Sequence, residues 1–435
     1  MIPPVVIVVG AGPAGSIAAR TLALAGVPVT LLERAPAFPR NKPCGGAISM
    51  RALRRFPWLE GPLADIGTHR IARLYLEGPD GDSAVIESDE PAVLMIRRWE
   101  FDALLVKQAV AAGATLVSGV DIVRARQTPS SVTLESRDGR RFDAPVVIAA
   151  DGVHSIVARR LGLNPGWPAG AVAVDMMEET PVGMLAADPS TLWVSYGYTG
   201  EGAASGSPRA AEGYAYIFPK KDHVNVGIGY VLRHFKGEVA ARPYDLQRDF
   251  IEHLRRRGLV RGTSVREHFT PFIIPVGGPL PRPAGGRVLL AGDAGGFVNG
   301  FTAEGIYYAM LTGELAGRAV VAAGAGAAPE RMVDGYTRAT RREVGAELRD
   351  SVLVQRYLFA DRRRIARVIG SATGQPALTR TVLDYALGLT PYHRARRRIV
   401  AGAPAAAAGL LAHLAAHRLS RWARVATMRA PLETR

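Results

Sequence analysis

Four groups of residues in this 435-residue chain have the types and spacing to do chemistry. Cys44 is the only cysteine, and Gly45 and Gly46 follow it. A thiol with an ordinary pKa of about 8.5 is mainly protonated at neutral pH, so Cys44 is a candidate proton donor. The alternative is a thiol that only packs. Glu304 stands just before Gly305-Ile306 and a helical pattern. It is either a second candidate acid or a carboxylate stabilised by the helix dipole. Tyr214, Tyr216 and Phe218 alternate and so share one face of a strand. Their rings could wall an apolar channel and stabilise positive charge, or form a core stripe. Gly10, Gly12 and Gly15 form a G-x-G-x-x-G run, and Glu33 lies 18 residues beyond the last glycine.

The elements around these residues read clearly. Val5 to Val9 is a continuous β-branched run, expected as a buried parallel strand. It enters the glycine loop, a helix is expected over Ile17 to Leu24, and Gly26 ends it. Val29 to Leu32 is a second strand ending at Glu33. In such a βαβ unit the first glycine allows the tight turn, the second lets backbone N–H groups approach a diphosphate, and the third lets helix and strand pack closely. The helix N-terminus faces the phosphates, and Glu33 can accept both hydroxyls of an adenosine ribose. Ala14 and Arg34 are placed in the same dinucleotide site, as is Ile122.

Arg98 to Ala112 reads as an amphipathic helix. Val146 to Ala150 and Val288 to Ala291 are further buried strands, ending in Asp151-Gly152 and Gly292-Asp293. The stretches 76–96 and 165–285 alternate and are rich in aromatic and turn residues, as antiparallel strands are. The expected fold class is α/β. A discontinuous Rossmann-like domain (1–75, 97–164, 286–329) carries an inserted antiparallel-sheet substrate domain (76–96, 165–285). A helical C-terminal region (330–435) follows. The Gly/Ala-rich stretch Gly197 to Ala211 is expected to be a mobile loop.

Composition narrows the function classes. One cysteine excludes an intramolecular disulfide and a Cys-rich zinc site, and it suits a reducing, cytoplasmic compartment. The nine histidines show no metal-binding spacing, so no metal is expected. The net charge is +15, of which residues 331–435 carry +13 through 20 Arg, no Lys and 7 acidic residues. Such a region suits an anionic lipid surface on the inner face of the cell membrane, or a diphosphate. The bland alternative is codon bias, since the chain has 49 Arg and 5 Lys. Nucleic acid is not expected, because no recognition helix or stacking platform accompanies the charge. Ile399 to His417 lacks charge, but Pro404 and nine alanines argue against a membrane span.

Motifs further along resemble those of known flavoproteins. Val288-Leu-Leu-Ala-Gly292-Asp293-Ala294 and Asp151-Gly152 resemble segments of the p-hydroxybenzoate hydroxylase fold. In that fold such an aspartate contacts the ribityl chain of FAD. Lys42-Pro-Cys44-Gly45-Gly46-Ala47-Ile48 resembles the K-x-C-G-G segment of the geranylgeranyl reductases. Tyr214-x-Tyr216-x-Phe218-Pro219, then Gly227-x-Gly229, resembles their Y-x-W-x-F-P…G-x-G substrate motif. Gly292 to Ile306 resembles their G-D-A-A-G-x-x-x-P-x-x-G-E-G-I, and Arg98 to Asp102 their R-x-x-F-D. Tyr216 stands where the family has Trp, Gly300 where it has Pro, and Ala303 where it has Gly.

The resemblance implies FAD as cofactor, held by the glycine loop, Glu33, Cys44-Gly45, Ala47, Arg98, Asp151-Gly152, Gly292-Asp293 and Gly305-Ile306. Lys42 is a further candidate contact. It implies saturation of isoprenoid C=C bonds, with electrons from NADPH or a reduced ferredoxin. The aromatic strip, Pro219, Gly227 and Gly229 would receive the isoprenoid. A lipid substrate would bring the basic C-terminal region to a membrane surface as a peripheral protein. The alternatives on the same fold are a monooxygenase or halogenase, and a non-catalytic FAD protein that carries a prenyl lipid.

Overall fold

The computed structural model describes residues 6–198, 212–324, 328–372 and 374–404, together with 408, 409 and 412. Val6–Val9 and Val146–Ala149 are wholly buried, and Val29–Leu32 nearly so. Strands apolar on both faces need cover on both sides, which a parallel sheet with flanking helices provides. The sheet runs in the order Ala284–Gly285, Val288–Leu290, Val146–Ala149, Val6–Val9, Val29–Leu32, Thr115–Val117. Every pairing is parallel except that of the edge strand Ala284–Gly285. Val9 pairs with both Leu32 and Ala149, so Gly10, Glu33 and Ala150 follow at adjacent strand ends.

The helix after the glycine loop spans Pro13–Leu24 and so starts ahead of the expected Ile17. Pro13 at its first position needs no N–H partner, which lets the motif's own residues form the first turn. Helix Ile306–Ala323 crosses it closely. A β-carbon at Gly313 would stand 2.1 Å from the Ala14 carbonyl oxygen, and one at Gly317 would stand 2.9 Å from Thr21 Cβ. A meander over Ile122–Gln127, Val132–Ser136 and Arg141–Ala144 adds a small antiparallel sheet absent from the sequence reading. Its signal was Asp138-Gly139 between alternating residues.

A seven-stranded sheet runs Phe269–Ile274, Ala173–Pro181, His223–Val231, Gly213–Pro219, Thr191–Tyr196, Arg73–Glu77, Ser83–Glu87. It is antiparallel except where Thr191–Tyr196 meets Arg73–Glu77. The expected boundary at residue 76 falls inside strand Arg73–Glu77. Val93–Ile96 pairs instead with Ala47–Ser49 and Thr68–Ile71. One face of the large sheet buries Met176, Ile217 and Ile228 with Leu246, Phe250 and Leu254 of helix Pro243–Arg256. The other face carries Asp175, Met177, Tyr214, Tyr216 and Phe218.

The described part of the C-terminal region, to residue 404, is helical: Pro329–Thr340, Ala346–Phe359, Arg362–Ala372, Pro376–Ala386 and Tyr392–Gly402. Leu358, Phe359, Ile365 and Ile369 pack on Ala84, Leu76 and Tyr196, so these helices cover an end of the sheet. Residues 199–211 of the expected loop lie outside the described residues. Among the described residues no helix is long and apolar enough to cross a membrane.

Candidate functional site

The strand ends of the parallel sheet open into a cavity of about 460 Å³. Gly10, Gly12, Ala14, Glu33 and Arg34 line it. Cys44, Arg98, Ile122, Asp151, Gly152, Gly292, Asp293, Gly305 and Ile306 complete the expected lining. Gly15, Gly45 and Ala47 are not among the lining residues. Gly10 has φ +94, and a β-carbon there would lie 2.4 Å from the Ala150 carbonyl oxygen. Only glycine combines that backbone conformation with that close approach.

Glu33 ends its strand with a buried carboxylate. The Ala11 N–H donates to its Oε2 at 2.9 Å and the Ala35 N–H to its Oε1 at 2.9 Å. Arg40, which the sequence reading missed, hangs over the glycine loop. Its Nη2 donates to Asp102 Oδ2 at 3.0 Å, and its buried Nε lies 3.7 Å from Glu33 without a hydrogen-bond partner. Asp151 Oδ1 is likewise buried and unpartnered. An Arg40 N–H without a hydrogen-bond partner beside a glycine loop, with an unpartnered Asp151 oxygen in the same cavity lining, fits the diphosphate and hydroxyl groups of FAD.

Arg98 makes a two-point contact with Asp102, Nε to Oδ1 at 2.7 Å and Nη2 to Oδ2 at 2.9 Å. Burial disfavours its charge, but Asp102 outweighs that and holds the guanidinium above its ordinary value. Lys42 is pushed down to about 7, first by burial and then by the Arg98 charge, with Asp293 opposing. Its Nζ lies 2.9 Å from the centre of the Phe272 ring. Burial also raises the Asp293 carboxyl, against the charges of Lys42 and Arg98.

Tyr214, Tyr216 and Phe218 are not among the residues lining the cavity, but Tyr216 and Phe218 stand against Gly45, next to the lining residue Cys44. A β-carbon at Gly45 would stand 2.7 Å from the Phe218 ring and 3.6 Å from that of Tyr216. The Cys44 carbonyl accepts from Lys220 Nζ at 3.2 Å and Asn225 Nδ2 at 3.3 Å. Tyr216 pairs with Gly227, and Tyr214 with Gly229, across the hairpin. A β-carbon at Gly227 would lie 2.4 Å from the Tyr216 ring. The missing side chain therefore lets that ring cross the neighbouring strand. Its hydroxyl reaches Asp175 Oδ1 at 3.3 Å and Oδ2 at 3.2 Å. Asp175 lines the cavity and was not singled out in the sequence, where one aspartate in a strand carries no signal. Pro219 closes the strand opposite Val224.

Glu304 stands outside the cavity lining. Its Oε1 accepts the Ser49 N–H at 3.0 Å, and its Oε2 lies 3.7 Å from Arg51. Burial raises its carboxyl, and the Arg51 charge opposes this. One departure from the family pattern has a physical reason, and a second is strained. The Gly300 N–H donates to Ser351 Oγ at 2.8 Å, a bond proline cannot make, and a β-carbon there would lie 2.9 Å from Val352 Cγ2. Ala303 holds φ 56, which glycine adopts more cheaply.

Known proteins resemble this chain. The model of the FAD binding domain family matches residues 4–259. A digeranylgeranylglycerophospholipid reductase of Methanocella arvoryzae is 31% identical over 361 residues, 79% of this chain and 84% of that one. Protein FixC of Salmonella typhi is 30% identical over 339 residues, 73% and 76% of the two chains. A geranylgeranyl bacteriochlorophyll reductase-like protein from Thermoplasma acidophilum shares the fold. Its TM-score is 0.72 at 20% identity, covering 92% of this chain and 96% of that one. A flavin-dependent brominase and a probable FAD-dependent monooxygenase share the fold at similarly low identity. With its glycine loop, its cavity and these relatives, the chain belongs to the FAD-dependent oxidoreductases of the geranylgeranyl reductase family.

Proposed function

We propose that the chain saturates C=C bonds of a geranylgeranyl-type isoprenoid carried as a diphosphate, lipid, quinone or pigment. The observation that carries this reading is the packing of the Tyr216 and Phe218 rings against Gly45, next in the chain to Cys44 of the cavity lining. Reduced FAD, when bound, supplies a hydride. The chain contributes the rest. The Gly10–Gly15 loop and the first turn of helix Pro13–Leu24 hold the diphosphate, and Glu33 accepts the ribose hydroxyls. Arg98, Lys42 and Asp293 hold the ribityl region. Gly305 and Ile306 offer backbone N–H groups at a helix start.

An isolated alkene is not polarised, so it accepts a hydride only as its other carbon gains a proton. The rings of Tyr214, Tyr216 and Phe218 exclude water and face the cation-like centre. Cys44 is a candidate proton donor at the wall. Glu304, engaged by Ser49 and Arg51, acts better as the residue that sets the loop before helix Ile306–Ala323. NADPH or a reduced ferredoxin supplies the electrons. Val368, Val382, Leu389 and Val400, exposed on or beside the arginine-rich C-terminal helices, suit contact with an anionic lipid surface.

The test is anaerobic. The chemically reduced holoprotein is mixed with geranylgeranyl diphosphate or a digeranylgeranyl glycerophospholipid. Return of the oxidised-flavin absorbance without oxygen, with a product heavier by two hydrogens per turnover, is the expected result. Return only after air is admitted, with oxygen or halogen in the product, would establish the hydroxylase-like chemistry instead.

A second prediction concerns Glu33. Hydrogen bonds to a charged acceptor contribute roughly 1.5–3 kcal/mol. Glu33→Ala is therefore expected to weaken FAD binding about 10- to 100-fold, read by flavin fluorescence during titration of the apoprotein. Affinity within about twofold of wild type would remove Glu33 from the ribose site.

A further inference from the structure

We propose that Asp175 is the acid that protonates the alkene and that Tyr216 positions it, an inference that rests on the reductase reading above. Asp175 sits on strand Ala173–Pro181 with its side chain in the cavity wall. It is 7% exposed. The Tyr216 hydroxyl bonds both of its oxygens. This contact exists because Gly227 leaves room for the Tyr216 ring, and because Gly229, the register partner of Asp175, places no side chain beside the carboxyl. The family's tryptophan at position 216 has no hydroxyl, so the carboxyl–phenol pair is a property of this chain.

A comparison within one strand sets this carboxyl apart. Glu179 lies on the same face of the strand, four residues on. Burial acts to raise it, yet Lys220 and Arg97 hold it below its ordinary value. Both cations are in ion-pair contact with it. Asp175 has no such partner among the described residues. Burial pushes it up to about 7, with the Tyr216 bond and the more distant Lys42 charge opposing. The groups around it are Tyr216 and Tyr214 from strand Gly213–Pro219, Gly229 from His223–Val231, Phe272 from Phe269–Ile274, and Lys42 and Cys44 from the segment crossing the cavity. A neutral acid at an apolar wall can give a proton that an exposed carboxylate does not hold.

The balance closes. One alkene carbon takes the proton from Asp175. The other takes the hydride, hence both electrons, from reduced FAD, which is left oxidised. The π bond is lost and two C–H bonds form. Asp175 is left as a carboxylate beside the Tyr216 hydroxyl and the Lys42 charge, and water returns its proton between turnovers.

The test compares wild type with Asp175→Asn, Asp175→Glu and Tyr216→Phe, each purified with FAD and matched in flavin absorbance. One component of the infrared carboxylic-acid absorption of the wild-type holoprotein is expected to fade with a midpoint near pH 7, and that component to be missing from Asp175→Asn. The rate of anaerobic flavin reoxidation by geranylgeranyl diphosphate should be flat below that pH and fall about tenfold per unit above it. Asp175→Asn should slow the reaction at least about 100-fold and abolish the pH dependence. Asp175→Glu should restore part of the rate. Because the Tyr216 bond favours the carboxylate, Tyr216→Phe should move the midpoint upward, which a loss of packing alone would not do. Wild-type turnover with Asp175→Asn equally fast, or no protonated carboxyl at pH 6, would overturn the assignment while leaving the reductase reading intact. Failure of the wild-type holoprotein to react with any isoprenoid alkene would overturn both.

Discussion

Gly15→Val is expected to yield a protein without FAD. A β-carbon at Gly15 would stand 1.8 Å from the Gly10 carbonyl oxygen, 3.0 Å from its carbonyl carbon and 3.2 Å from Val8 Cγ1. Two of these atoms are backbone in the loop that faces the diphosphate, so no side-chain rotation relieves the clash. Carbon atoms pack at about 3.5–4.0 Å, so helix Pro13–Leu24 must move away from strand Val6–Val9 by about 1–2 Å. That movement carries its N-terminal N–H groups off the phosphates. The helix is also pinned from behind by Gly313 and Gly317 of Ile306–Ala323, so it cannot shift without disturbing a second contact. FAD affinity should fall about 100-fold or more, seen as a colourless purified protein and as a weak fluorescence titration. Gly61→Ala is the control, because nothing lies within 4 Å of a β-carbon there. Full FAD retention by Gly15→Val would show that the close approach is not required.

Arg51→Met is expected to cost about 3–5 kcal/mol of stability and to loosen the C-terminal helices first. Arg51 is buried between three parts of the chain. Its Nη2 bonds Glu347 Oε1 at 2.9 Å and the Tyr308 hydroxyl at 2.6 Å, and its Nη1 lies 3.3 Å from Glu347 Oε2. It also contacts the Tyr385 hydroxyl, and Glu304 lies 3.7 Å away. Burial opposes the Arg51 charge, but Tyr308, Glu347 and Glu304 hold it well above its ordinary value. Removing the guanidinium leaves Glu347 as an uncompensated buried charge. Urea unfolding should report the loss. Hydrogen exchange should report faster opening of Ala346–Phe359 and Pro376–Ala386. Adding Glu347→Gln to Arg51→Met should recover part of the stability, because it removes the stranded charge. Unchanged stability in Arg51→Met would show that the cluster is replaceable by apolar packing.

Two neighbours of Arg51 also reach distant segments. Arg54 Nε donates to the Leu387 carbonyl at 2.6 Å, and Arg55 Nε to Glu314 Oε2 at 2.9 Å. Arg51–Arg55 thus joins the cofactor-binding part to helices more than 250 residues away in sequence. No periodicity in the sequence shows which arginine meets which carboxylate, because the partners come together only when the helices dock.

The cofactor site was the most legible feature, for a local reason. The strand, glycine loop, helix, second strand and Glu33 lie within the first 33 residues, where backbone sterics and short-range packing set their geometry. The pairing of Tyr216 with Gly227 is nearly as local, since one hairpin fixes the register. Asp175 lies beyond that reach. Its place beside Tyr216 depends on strand Ala173–Pro181 lying next to His223–Val231 and on two glycines leaving the space between. Glu304 reads in sequence like a candidate acid, but tertiary structure turns its carboxylate to Ser49 and Arg51. The sequence by itself therefore determined the glycine loop, its flanking strands and the motif that meets the cavity. Only the tertiary structure decided which carboxyl groups are buried without a cation and so pushed above their ordinary range, because desolvation and ion pairing depend on segments distant in the chain.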